Sequence, residues 1–205
     1  MHICTNCGVS SRHQKVIPDR CVLVCPECGH EDTFKHLPIF FLLGGGGSGK
    51  TSVSFRLTGQ SHRFFVFDTD LVGFMSHTSN AAKTHFQVWM SRQLSRNGVP
   101  IVYCGWDSID DCESAADLKY FSSVHYIVLA PSPKAQEQRL RERFGTLRDE
   151  PHDDDFISMS LQATGILVEQ ARRRPNATVI DSTNQTVDET VDRVQQIISS
   201  RLGDE

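Results

Sequence analysis

The sequence contains no apolar run approaching the roughly 18 residues that a membrane-crossing helix requires, which excludes a chain of membrane-spanning helices. It has no excess of positive charge: 21 Lys and Arg stand against 25 Asp and Glu, a formal net charge of −4, which excludes a whole-chain basic field of the kind that draws proteins to nucleic acid. Internal repeats are missing, as are low-complexity tracts other than one short run of glycines, so a solenoid or a disordered tail is not expected. The N-terminal stretch carries cysteines where a secretory leader would have its apolar segment, and cytoplasmic residence is the expectation. With 205 residues, the chain can build one substantial core and a small appendage.

Cysteine, by contrast, is plentiful. The 7 cysteines are odd in number, and four of them form two Cys-x-x-Cys doublets, Cys4/Cys7 and Cys25/Cys28, which is a metal pattern rather than a disulfide framework. Each doublet is followed by a glycine, Gly8 or Gly29, that lets the chain turn so that backbone amides approach the sulfurs. Four thiolates at this spacing suit tetrahedral Zn²⁺, and a segment this short has too few apolar residues to fold without the metal. Residues 1–36 resemble a zinc ribbon on these grounds. Cys21 lies off the doublet spacing, and Cys21, His30 or His36 remains an alternative donor. Arg12, Lys15, Arg20 and Lys35 are balanced by Asp19, Glu27, Glu31 and Asp32, so a structural or protein-contact role is expected of the ribbon before a phosphate-binding one.

Residues 37–205 read as an α/β domain. Apolar runs at Ile39–Leu43, Phe64–Phe67, Ile101–Cys104, Val124–Leu129 and Thr178–Ile180 alternate with helical patterns, which predicts a five-stranded parallel sheet with helices on both faces, a three-layer α/β/α arrangement. Helix starts are expected at Asn80, at Asp110 with Glu113, at Ser132 before Pro133, and at Thr186 with Glu189; Gly59 is expected to end the first helix. Between the first run and that helix lie Gly44, Gly45, Gly46, Gly47, Ser48, Gly49, Lys50 and Thr51, which satisfy G-x-x-x-x-G-K-[ST]. Glycines let successive amides converge on a phosphate, and the helix N-terminus adds its partial positive charge. Lys50 then reaches the β- and γ-phosphates while Thr51 offers a hydroxyl to Mg²⁺.

The order of this loop, "FFVFDTD", "KAQEQRLRERFGTLRD" and "ATVIDSTNQTVDETVDRV" resembles the small P-loop kinases related to shikimate, gluconate and nucleoside or nucleotide kinases, over residues 38–202. The resemblance implies that Asp68 helps hold the Mg²⁺ shell, that Asp70 orients the acceptor hydroxyl and takes its proton, and that Arg139 and Arg143, four apart on one helical face, meet the transferring phosphoryl. The pattern also departs from the family. Cys104 stands where many P-loop proteins place an aspartate after the third strand, and Asp107 comes three residues late. Trp89, Trp106, Phe74 and His85 are candidates for an acceptor pocket.

The expected activity is therefore transfer of the γ-phosphoryl of Mg·ATP to a hydroxyl or phosphate of a small molecule, with a nucleoside or nucleotide as the first candidate. Nucleic acid is not the expected partner, although the ribbon leaves that route open. The alternative is a nucleic-acid-associated or regulatory P-loop ATPase whose ribbon docks a partner; it would need neither Asp68-x-Asp70 nor the arginines. Oligomeric state and preference for ATP over GTP are not written in these motifs.

Overall fold

A computed structural model describes residues 2–11, 14–60, 63–72, 79–146 and 154–202. The N-terminal part is built from short strands: β1 (His2–Ile3) pairs antiparallel with β2 (Ser10–Ser11), while β3 (Lys15–Ile17), β4 (Val22–Val24) and β5 (Glu31–Thr33) form a three-stranded antiparallel sheet. Then follow β6 (Ile39–Leu43), α1 (Lys50–Gln60), β7 (Phe65–Asp68), a 3-10 turn at Thr69–Val72, α2 (Asn80–Ser95), β8 (Ile101–Gly105) and α3 (Ile109–Glu113). A second 3-10 turn at Ala116–Tyr120, β9 (Val124–Leu129), α4 (Pro133–Thr146), α5 (Asp154–Arg172), β10 (Ala177–Ile180) and α6 (Val187–Leu202) complete the order.

The five longer strands form one sheet in the order β10-β9-β6-β8-β7, every neighbouring pair parallel. Because successive side chains of a strand face opposite ways, β6 divides its five buried residues between the two faces. Ile39, Phe41 and Leu43 join Val88 of α2, Ile109 and Cys112 of α3, and Leu167 and Ala171 of α5. Phe40 and Leu42 join Val53 and Leu57 of α1 and Val191, Val194 and Ile198 of α6. The sequence has no alternation along β6 because both of its faces are covered, as parallel strands require. None of the helices searched among the described residues is long and apolar enough to cross a membrane.

Several expected boundaries move. Helix α2 is capped by Ser79, whose hydroxyl accepts from the Ala82 amide, so Asn80 is its first helical residue and not the cap. Helix α3 is capped by Ser108 through the Asp111 amide; Asp110 and Glu113, expected as a capping box, instead receive the Arg174 guanidinium. Gly59 lies inside α1. The fully buried face of α2 is Val88 with Thr84, Gln87, Ser91, Arg92 and Ser95. Phe86, Met90 and Leu94 are half-buried beside it, Met90 and Leu94 packing against the same core, and the buried polar residues find partners: Ser91 Oγ donates to the Gln87 carbonyl and Gln87 Oε1 lies 2.7 Å from Tyr103 Oη. The Ser132–Pro133 start of α4 and the Thr186–Glu189 capping box of α6 stand as expected.

Candidate functional site

The glycine run leaves the C-terminal end of β6, the central strand, and Lys50 begins α1, so the loop sits at the crevice where open α/β sheets hold ligands. Gly47 and Gly49 have φ of +71° and +98°, the left-handed region that only glycine enters without strain. Gly45 is required for a different reason. A Cβ there would strike the Ser160 carbonyl and lie 2.6 Å from Thr164 Oγ1, because α5 runs directly behind the loop. The Gly45 amide donates to Thr164 Oγ1 at 3.2 Å, and the amide nitrogen of buried Gln136 on α4 lies 2.7 Å from the Gly46 carbonyl and 2.9 Å from Thr164 Oγ1. Gln136, Ser160 and Thr164 thus hold the loop from outside. Sequence reasoning passed over them, since a polar residue in a helix carries no motif signal.

In front of the loop lies a cavity of about 820 Å³ whose lining includes Gly46 to Val53 together with Asp70, Arg139 and Arg143. Lys50 Nζ donates to the Gly45 carbonyl at 3.1 Å. Burial lowers its ammonium, and the carboxylates of Asp70, Asp68 and Asp107 oppose that shift. Ser48 Oγ is buried without a hydrogen-bond partner. Asp68, at the end of β7, lies 2.9 Å from the Ser54 hydroxyl and accepts from the Asp70 amide at 3.1 Å. Asp70 itself is exposed at the start of the following 3-10 turn. The Arg139 guanidinium donates to the Ser182 carbonyl at 2.7 Å, joining α4 to the loop after β10, whereas Arg143 is exposed one turn further on. Arg148 lies outside the described residues. Loop, lysine, Asp70 and both arginines, scattered over a hundred residues, therefore line one crevice, and Asp68 joins them through Ser54 of α1 and the Asp70 amide.

The other expectations separate. Cys104 is buried beside Asp68 in the strand register, and burial pushes its thiol up to about 12. Asp107 does not replace it: its carboxylate accepts from Thr84 Oγ1 and Tyr103 Oη, each at 2.6 Å, on the far side of Asp70. Among the aromatic candidates, Trp106 lines the crevice and sets its edge against Phe156. Trp89 packs on Phe86, His85 pairs with Ser114, and Phe74 lies outside the described residues.

The two cysteine doublets fold alike. Gly8 and Gly29 take φ of +71° and +69°, and their amides return to the Cys4 and Cys25 carbonyls. The four sulfurs lie within 4.8 Å of one another, with Cys4–Cys28 and Cys7–Cys25 both at 3.7 Å. Tetrahedral Zn–S bonds of about 2.3 Å place sulfurs about 3.8 Å apart, so the cluster fits zinc. Four sulfurs this close resist joint ionisation. The His30 amide and the Asn6 side chain bring Cys28 down to about 6, while Cys7 is pushed up to about 12 against the pull of the Val9 amide, by desolvation and the neighbouring sulfurs. A bound cation resolves that conflict. The alternative donors are placed elsewhere: Cys21 Sγ turns to the Pro18 carbonyl, His30 to Thr5, and His36 packs on Phe34.

No family model and no curated protein matches this sequence. Solved structures do. A gluconokinase from Sinorhizobium meliloti 1021 is 14% identical with a TM-score of 0.59, over 82% of this chain and 95% of its own. A shikimate kinase from Acinetobacter baumannii, in complex with shikimate, is 18% identical with a TM-score of 0.52, over 82% and 96%. A tunicamycin resistance protein from Deinococcus radiodurans is 18% identical with a TM-score of 0.53, over 80% and 96%. With its glycine loop leaving the central strand of a parallel five-stranded sheet, the α/β part of this chain has the fold of the small P-loop kinases.

Proposed function

We propose that this chain is an ATP-dependent phosphotransferase, a P-loop kinase of residues 37–205 preceded by a zinc ribbon of residues 1–36. The observation that carries the reading is the continuity of the loop's cavity with a second one of about 500 Å³ through Asp70 and Trp106, which line both. A donor compartment and an acceptor compartment with a carboxylate at their junction suit in-line transfer between two small molecules. Residues 44–51 hold the triphosphate of ATP, Lys50 neutralises its β- and γ-oxygens, and Thr51 and Asp68 hold Mg²⁺. When bound, the metal neutralises charge on the transferring group. Asp70 accepts the proton of the acceptor hydroxyl as its oxygen bonds to the γ-phosphorus and the bond to ADP breaks. Arg143, and Arg139 from its anchored position, meet the charge on the equatorial oxygens. Cys4, Cys7, Cys25 and Cys28 hold zinc.

The test is Asp70→Asn. Transfer should fall about 10²- to 10⁴-fold with Mg·ATP affinity kept, since a general base is worth that much, whereas Lys50→Ala should impair ATP binding itself. Near-normal transfer in Asp70→Asn would remove Asp70 from the chemistry.

A further inference from the structure

The two cavities that meet at Asp70 carry opposite charge. On the nucleotide side Lys50, Arg139 and Arg143 outnumber Asp70 and Glu142. On the other side, Asp70, Asp107 and Asp111 face one cation, Lys83, and among the described residues no arginine or histidine lines the space. Asp107 and Asp111 are held in place. Asp111 is 2.7 Å from the Ser108 hydroxyl, which donates to it, and Asp107 is gripped by Thr84 and Tyr103 at 2.6 Å each. Burial pushes Asp107 up, against the hydrogen bonds from Thr84 and Tyr103; with Asp107 neutral, two carboxylates still outnumber Lys83.

The walls also differ in polarity. Asn80 and Gln87 of α2 stand on the carboxylate side, while α5 contributes Met159, Ala163 and Ile166, with Met159 53% and Ile166 46% exposed. Two large apolar side chains left open in this way offer a surface for the carbon face of a ring, and carboxylates opposite accept from hydroxyl and ammonium groups. Resting on the phosphotransferase reading above, we propose that the acceptor is a hydroxyl-bearing ring compound without any anionic group, and that amine-bearing members of this class are preferred. A sugar, a nucleoside or an aminocyclitol meets this description; a sugar acid, a ring carboxylate or a nucleoside monophosphate does not, because its anion would face the carboxylates with Lys83 as the one lining cation among the described residues.

Matched compounds test this on the full chain with Mg·ATP, by ADP release: glucosamine and glucose against gluconate, an aminocyclitol against shikimate, and nucleosides against their 5′-monophosphates. Mg·ATP binding is measured separately, and quenching of Trp106 is followed in a Trp89→Phe background. The uncharged or cationic member of a pair should lead its anionic counterpart at least about tenfold in turnover or in quenching, the gap narrowing with added salt and in Asp111→Asn. If an anionic member leads, or if Mg·ATP binds but no compound turns over or quenches Trp106, the acceptor assignment is overturned and the nucleotide site stands. If Mg·ATP does not bind, the phosphotransferase reading falls and this inference with it.

Discussion

Gly45 and the arginine pair show how single residues divide between holding the site and acting in it. Gly45 has no unusual backbone; its role is to leave room for α5, so Gly45→Ala should overpack the contact with Ser160 and Thr164. Inserting one methyl into a close-packed contact typically costs about 1 to 3 kcal/mol, which lowers Tm by about 2 to 12 °C for a chain of this size. Thermal denaturation checks it, and an unchanged Tm would mean that α5 yields without resistance. Arg139 and Arg143 differ in the same sense. Arg139 is tied to the Ser182 and Thr183 carbonyls, so Arg139→Ala should weaken nucleotide binding and stability together. Arg143 is exposed at the cavity rim, so Arg143→Ala should lower kcat by about 10³-fold or more if it meets the developing charge, with little change in ATP affinity. Equal kinetics for the two variants would contradict this division.

At the scale of elements, the separately folded cysteine knuckles set up a clean experiment. Chelation should melt β1 to β5, whose strands span only two or three residues each, and leave the five-stranded sheet intact. Structural zinc in small fingers is worth on the order of 10 to 16 kcal/mol of apparent binding free energy. Metal analysis should find one zinc per chain, and hydrogen exchange after chelation should rise in residues 2–35 but not in β6 or β9. The strands of the sheet and the glycine loop were legible in the sequence because a strand covered on both faces is a continuous apolar run and a phosphate loop has a fixed spacing. Helix starts were less so: Ser79 and Asn80 are both good caps, as are Ser108 and Asp110, and tertiary partners decide between neighbours. Arg174 decides the second case by drawing Asp110 and Glu113 away. The second cavity was the least legible part, since Asp107, Asp111, Lys83 and Ile166 share no spacing and meet only when α2, α3 and α5 close over one face of the sheet.

Across the whole molecule, the N-terminal strands meet the α/β part at Tyr120, a ring that Arg92 covers from α2. Arg92 of α2 is 6% exposed, pairs with Asp117 at 3.0 Å, and lays its guanidinium 3.3 Å from the centroid of the Tyr120 ring. Phe34, just beyond β5, meets the same ring edge-on at 6.5 Å, and the Lys119 ammonium reaches the Gln14 carbonyl at 3.5 Å. Tyr120 is thus held by the N-terminal part through Phe34 and by α2 through Arg92. Removing Arg92 leaves Asp117 without this partner and Tyr120 with only the more distant Lys119 ammonium, 5.3 Å from the ring centroid. A fully buried pair broken this way costs about 3 to 5 kcal/mol, and the partial exposure of Asp117 reduces the expected loss in Arg92→Ala to about 2 to 3 kcal/mol. Arg92→Lys should recover only part, since a compact ammonium cannot both cover the ring and reach the carboxylate. If the N-terminal strands stabilise the sheet through this junction, chelation and Arg92→Ala should not add: the Tm loss on chelation should be smaller in Arg92→Ala than in the parent chain. Fully additive losses would show that the ribbon and the sheet are stable independently of each other, with Arg92 serving α2 alone.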